Sequence, residues 1–194
     1  MSDLSSVLDD GNTMGTAAPI FAGFGPRLGA ALLDFIVQLP LFGASMYFSL
    51  VAPNLAIWGF VIFLSILYKP GFEAYAGATP GKMLLKLKVV GKGGVPITPA
   101  QAFLRYLPWL LAVLLSTYVT YTMFTIDGFM EADGFTGRSM VIAQNQLANP
   151  SFLQSMSSYL GFIPLISALF MLGNDRKQAA HDMMAETFVI KTNA

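Results

Sequence analysis

Four apolar stretches, at about residues 27–51, 54–76, 101–125 and 152–172, are each long enough to cross roughly 30 Å of hydrocarbon at about 1.5 Å per helical residue. No water is available in that layer to bond backbone N–H and C=O groups, so each stretch must satisfy its own, as a helix does. The rest of the composition agrees: of 194 residues, 55% are hydrophobic and 11% charged, whereas a soluble chain carries roughly 25% charge. The expected fold class is all-α membrane protein, with four transmembrane helices and a small cytoplasmic β-hairpin between helices 2 and 3.

Charge placement orients this bundle. With four spans, Arg27, Lys69, Lys82, Lys86, Lys88, Lys92, Arg105, Arg176, Lys177 and Lys191 lie at or near one face and only Arg138 near the other. Basic residues stay on the cytoplasmic side, so both termini are expected there. Residues 1–22 hold Asp3, Asp9 and Asp10 but no Lys or Arg, lack the basic start of a secretory signal, and read as a disordered cytoplasmic tail. A formal net charge of zero argues against nucleic acid as a partner. The chain has no cysteine and a single histidine, His181, so no thiolate or His-built metal site and no cofactor is expected.

Along the chain, Gly25-Pro26-Arg27 opens the first helix with proline where its missing N–H costs nothing. Ala52-Pro53-Asn54 joins it to the second by a turn short enough to make them antiparallel neighbours. Lys69-Pro70-Gly71 leaves two readings open, a second helix kinked through to residue 76 or one that stops at Tyr68. Within 77–99 the stretch Lys82 to Val90 partly alternates charged and apolar side chains, the period of a strand. Gly91-Lys92-Gly93-Gly94 then reads as a turn and Val95-Pro96-Ile97-Thr98 as the returning arm. Thr98 and Pro99 suit the cap and first position of the third helix. The non-cytoplasmic segment 126–151 sets Asp127, Glu131 and Asp133 against Arg138, with 135–147 open as surface helix or loop. Segment 173–190 returns to the cytoplasm and ends in the apolar Phe188-Val189-Ile190, expected to pack on the hairpin. No internal repeat stands out.

Asp34 is the costly residue, because a charge near mid-bilayer costs about 2.5–3.5 kcal/mol on insertion scales and therefore faces protein or water. Counted from the cytoplasmic face, Asp34 and Lys69 lie at similar depths of about 10–12 Å, while Arg27 and Glu73 both sit in the first turn or so. Depth alone thus pairs Asp34 with Lys69 and Arg27 with Glu73, and lets Arg105 join either pair. These five charges read either as a neutralised structural lock or as the surroundings of a protonatable, cation-binding Asp34.

Two other patterns carry less. Gly77-Ala78-Thr79-Pro80-Gly81-Lys82-Met83 looks like a phosphate loop but is one residue short, has Met83 in place of Ser or Thr, and is interrupted by proline. No nucleotide is expected. His181-Asp182 lacks a serine in an elbow-like turn, so the chain is expected to be no enzyme and to have no catalytic residue.

Taken together, Arg27, Asp34, Tyr68, Glu73, the run Thr79-Pro80-Gly81-Lys82 leading into Leu84–Val90, Arg105, His181-Asp182 and Thr187 resemble the RDD family of bacterial membrane proteins. The resemblance covers about residues 23–190, and the family's one arginine and two aspartates match Arg27, Asp34 and Asp182. It implies a multi-pass protein of the bacterial inner (plasma) membrane. Some members are described as sodium/proton antiporters and others look like accessory or assembly proteins. The long acidic segment 126–151 departs from the family pattern and favours a membrane-protein partner. The expectation is therefore a non-catalytic accessory or assembly subunit, embedded in the lipid bilayer with a protein partner or as a homo-oligomer. The alternative is a small oligomeric monovalent cation/proton antiporter using Asp34.

Overall fold

The computed structural model describes residues 19–192, apart from the side chains of Ser158, Pro164, Leu165 and Leu172. Three helices are long and apolar enough to cross a membrane: α1 (Phe24–Met46, continued by a π-helical turn Tyr47–Val51), α2 (Leu55–Ala76) and α4 (Pro99–Met123). Helix α2 runs through Pro70 to Ala76, and α1 and α4 likewise contain Pro40 and Pro108. Start signals act where the residues suggest. Asn54 Oδ1 accepts the Ile57 N–H at 3.0 Å. Thr98 accepts from the Gln101 N–H at 3.2 Å while Gln101 Oε1 accepts the Thr98 N–H at 2.9 Å, a reciprocal cap.

The fourth expected span is not one helix. Residues 152–173 form α6 (Phe152–Leu160), α7 (Ile163–Leu169) and a 3-10 turn Phe170–Gly173. Alone, each helix rises about 10–14 Å, well short of the hydrocarbon layer. The break has a local cause: glycine at 161 is a poor helix former, and proline at 164 has no N–H to offer the carbonyl of residue 160.

The hairpin is also replaced. Strand β1 (Leu87–Gly91) pairs antiparallel with β2 (Thr187–Lys191), and the returning arm keeps one isolated bridge, Val90 to Pro96. Pro96 has no N–H for a ladder, and Pro99 already opens α4, so the β-favouring Thr187-Phe188-Val189-Ile190 takes the edge. The end of the expected N-terminal tail joins too: Ala22 N–H donates to the Val189 carbonyl at 2.8 Å and Lys191 N–H to that of Ile20 at 2.9 Å. Residues 1–18 of that tail lie outside the described residues.

The chain forms two compact units. Among the described residues, one comprises 19–37, 68–107 and 164–192 and the other 38–67 and 108–163. The first centres on Ala22, Ala30, Leu87, Val89, Ile97, Ala102 and Val189. The second packs Trp58 at a tilt against Phe124 and Phe124 edge-on against Phe129, with ring centroids 5.6 and 5.7 Å apart. It also contains α5 (Gly134–Ala148), a helix where the sequence left helix or loop open. From α5 the buried Arg138 donates to the carbonyls of Leu50 (3.2 Å) and Val51 (3.0 Å), closing off the end of the first span.

Candidate functional site

The first unit contains one backbone device twice. Short helix α3 (Pro80–Leu84) leads through Lys86 (φ 54°) into β1, and short helix α8 (Ala180–Met184) leads through Glu186 (φ 52°) into β2. The turns close alike: Met83 N–H to Thr79 C=O and Lys86 N–H to Met83 C=O, then Met183 N–H to Ala179 C=O and Glu186 N–H to Met183 C=O. Strand register centres on Val89 opposite Val189, so a local pseudo-twofold passes between two valines that hold equivalent places in the two copies. A left-handed residue is a common way to end a helix, and here it turns both short helices into their strands at matched positions.

What differs is how each short helix is held. The first N–H groups of a helix have no intrahelical partner and attract negative charge. For α3 the acceptor comes from another helix: Asp34 Oδ1 on α1 accepts the Gly81 N–H at 2.8 Å and the Tyr68 hydroxyl at 2.9 Å, and Oδ2 accepts the Thr79 hydroxyl at 2.6 Å. The approach is close enough that a Cβ on Gly81 would lie 2.3 Å from the Ala30 carbonyl. For α8 the acceptor is internal, Asp182 Oδ2 taking the Ala179 N–H at 3.1 Å.

At the position of Asp182, the first copy carries Lys82. Both feed a buried ladder of alternating charge: Arg27 pairs with Asp182, Asp182 with Arg105 (3.0 Å), Arg105 with Glu73 (3.0 Å), and Glu73 with Lys82. Arg105, Glu73 and Asp182 are 1%, 1% and 0% exposed, so each charge depends on its neighbours in place of water. Arg105 also donates to the Thr187 hydroxyl at 2.8 Å, and Gln178 to the Thr187 carbonyl at 2.9 Å, tying the ladder to β2. Lys69 acts electrostatically on the same group, attracted by Glu73 and Asp182 and repelled by Lys82 and Arg105.

Beside the ladder, His181 Nε2 faces Asp182 Oδ1 at 3.3 Å and Nδ1 lies 2.8 Å from Ser167 Oγ. Burial pushes the imidazole well below its ordinary range, helped by the charges of Lys69, Arg105 and Lys82 and opposed by Asp182. Burial alone would raise the Asp182 carboxyl; Arg105, His181 and Arg27 outweigh it and hold the group well below the usual carboxylate range.

A family profile matches residues 21–186. The chain belongs to the RDD family. Nothing matched among curated proteins or among solved structures. In this RDD protein Arg27 and Asp182 are ion-paired, while Asp34 holds the other short helix.

The pairing expected from depth is not the one found. Asp34 has three neutral donors in place of Lys69, Arg27 goes to Asp182 and not Glu73, and Arg105 joins Glu73 and Asp182 together. Depth along α1 and α2 could not foresee this because both true partners arrive from elsewhere, Gly81 from α3 and Asp182 from α8. The segment resembling a phosphate loop spends Thr79, Gly81 and Lys82 on internal contacts, with Pro80 opening α3. Nothing in the sequence singles out Ser167 or Gln178, whereas Arg138 stands out as the one cation in an acidic segment, without its carbonyl partners.

Proposed function

We propose that this RDD protein is a non-catalytic accessory or assembly subunit of a larger membrane complex, sited in a bacterial inner (plasma) membrane with both termini cytoplasmic, α6 and α7 together making the return crossing that the pairing of β2 with β1 requires. One observation supports it above the rest: the family's own residues, Arg27, Asp34 and Asp182, are each committed to partners inside the fold. A motif consumed in holding two short helices and a sheet together makes a rigid base on which a partner is received. A catalytic role for Ser167, His181 and Asp182 is disfavoured because Ser167 is 5% exposed and Asp182 is bound by two arginines. The test is purification in mild detergent with mass identification. A specific membrane-protein partner is expected at defined stoichiometry; a chain that leaves the membrane alone or only with itself has no complex to serve.

A second reading, cation/proton exchange by an oligomer, draws on one specific observation. The hydrogen-bond partners of Asp34 are neutral, so its charge is not cancelled by a bonded cation. Proteoliposomes decide between them: exchange requires cation-driven proton flux that Asp34→Asn abolishes, and absence of flux with the unaltered protein removes this reading.

A further inference from the structure

Within the second unit, an open cleft of about 560 Å³ lies between the end of α4 with its following turn and one face of α5. Thr122, Thr125 and Asp127 line one side, and Val141, Gln144 and Asn145 the other. The α5 residues fall at spacings of three and four, one face of the helix.

The electrostatics of this cleft are one-sided. Both threonine hydroxyls already donate, Thr122 to the Val119 carbonyl at 2.7 Å and Thr125 to the Thr122 carbonyl at 2.7 Å, leaving their lone pairs as acceptors. Helix α4 ends at Met123, so its negative dipole end lies beside the cleft. Asp127 adds a full carboxylate with no ion pair among the described residues. The only basic residue between 126 and 151, Arg138, is occupied by the carbonyls of Leu50, Val51 and Gly134. A site rich in acceptors, carrying an unanswered negative charge and sized for a small molecule, calls for a cation with several N–H donors.

We propose that this cleft binds a guanidinium or alkylammonium group, with Asp127 as its counterion and Gln144 as a hydrogen-bonding partner; Asn145 Oδ1 already accepts from Asn149 Nδ2 at 2.9 Å and is left out of the contact set. That chemistry reaches the site either as a free small amine or as an arginine or lysine side chain of a partner protein. The exchanger reading does not involve this cleft; the accessory reading meets it in one case only, a partner's side chain docking on segment 126–151, and binding of a free amine stands without that reading.

The test is calorimetric titration of the full chain in lipid nanodiscs with butylguanidinium, its neutral isostere butylurea, and acetyl-Gly-Arg-Gly-amide. Saturable binding of butylguanidinium is expected, at least tenfold tighter than butylurea, with Asp127→Asn weakening it about tenfold or more and Gln144→Leu several-fold. Asp127 and Gln144 are both exposed, so neither variant puts folding at stake, and unchanged melting temperatures verify it. Tighter binding of the tripeptide assigns the cleft to a partner's side chain; tighter binding of butylguanidinium assigns it to free amines. No saturable binding of either cation, equal binding of butylurea, or binding indifferent to both substitutions overturns the proposal.

Discussion

The two copies of the helix–turn–strand device share a backbone and differ in what secures them. The copy at 79–91 borrows a carboxylate from α1, places glycine where the helices nearly touch, and carries a cation, Lys82, into the ladder. The copy at 179–191 supplies its own carboxylate, places histidine at the position equivalent to Gly81, and carries an anion, Asp182. One is held mainly by neutral hydrogen bonds around Asp34, the other mainly by ion pairs with Arg27 and Arg105. Two similar backbones thus carry opposite charges, and the opposition lets Arg105 and Glu73 sit between them.

The sharpest way to break the comparison is to remove its middle. Arg105→Met leaves Glu73 and Asp182 each short of a partner in a buried setting, and the expected loss is about 3–5 kcal/mol or more, seen as a collapse of thermal stability in detergent. Survival with little change would show the ladder to be ornamental. Next, Asp182→Asn should cost more than Lys82→Met, because Asp182 serves two arginines and a helix start whereas Glu73 keeps Arg105 when Lys82 is lost. Each is expected in the range of about 1–5 kcal/mol; equal effects would erase the distinction between the copies.

Gly81→Ala against His181→Ala probes equivalent positions. The first forces α3 off α1 and should cost about 1–3 kcal/mol, while the second removes the contact with Ser167 and should cost less. Acid supplies a further contrast. His181 and Asp182 both have folded values below their ordinary ones, so both stabilise the fold above their unfolded values and lose that contribution as pH falls. Melting temperature should decline below about pH 6.5 as the histidine begins to charge in the unfolded chain, and again below about pH 3.9 for the aspartate. His181→Gln should flatten the first decline alone. Smallest of all, Tyr68→Phe removes one of three bonds to Asp34 and should cost about 1 kcal/mol.

Much of this fold could be read from residues in order. Apolar length located α1, α2 and α4, Ala52-Pro53-Asn54 marked the turn between the first two, and Thr98 marked where α4 begins. The fourth span misled because its composition is apolar on average while glycine and proline break its hydrogen bonding, an effect that average hydropathy does not register. The site was half legible: charge in an apolar context singled out Asp34 and Arg105, but partner choice depended on chain returning from far away. The structural likeness had no sequence signal, because between 79–91 and 179–191 only Met83/Met183 and Val89/Val189 are identical. What the copies share is a left-handed turn at Lys86 and Glu186, which backbone angles reveal and side-chain identity does not.

Arg27 and its partner Asp182 are separated by 155 positions. During synthesis, then, all three long helices leave the ribosome before the anion that pairs with both Arg27 and Arg105. A nascent chain at that point carries two guanidinium groups at the membrane with their final partner still unmade. Until α8 emerges Arg105 has only Glu73 of its two carboxylates, so the closing of this charge ladder is a late event in the life of the chain.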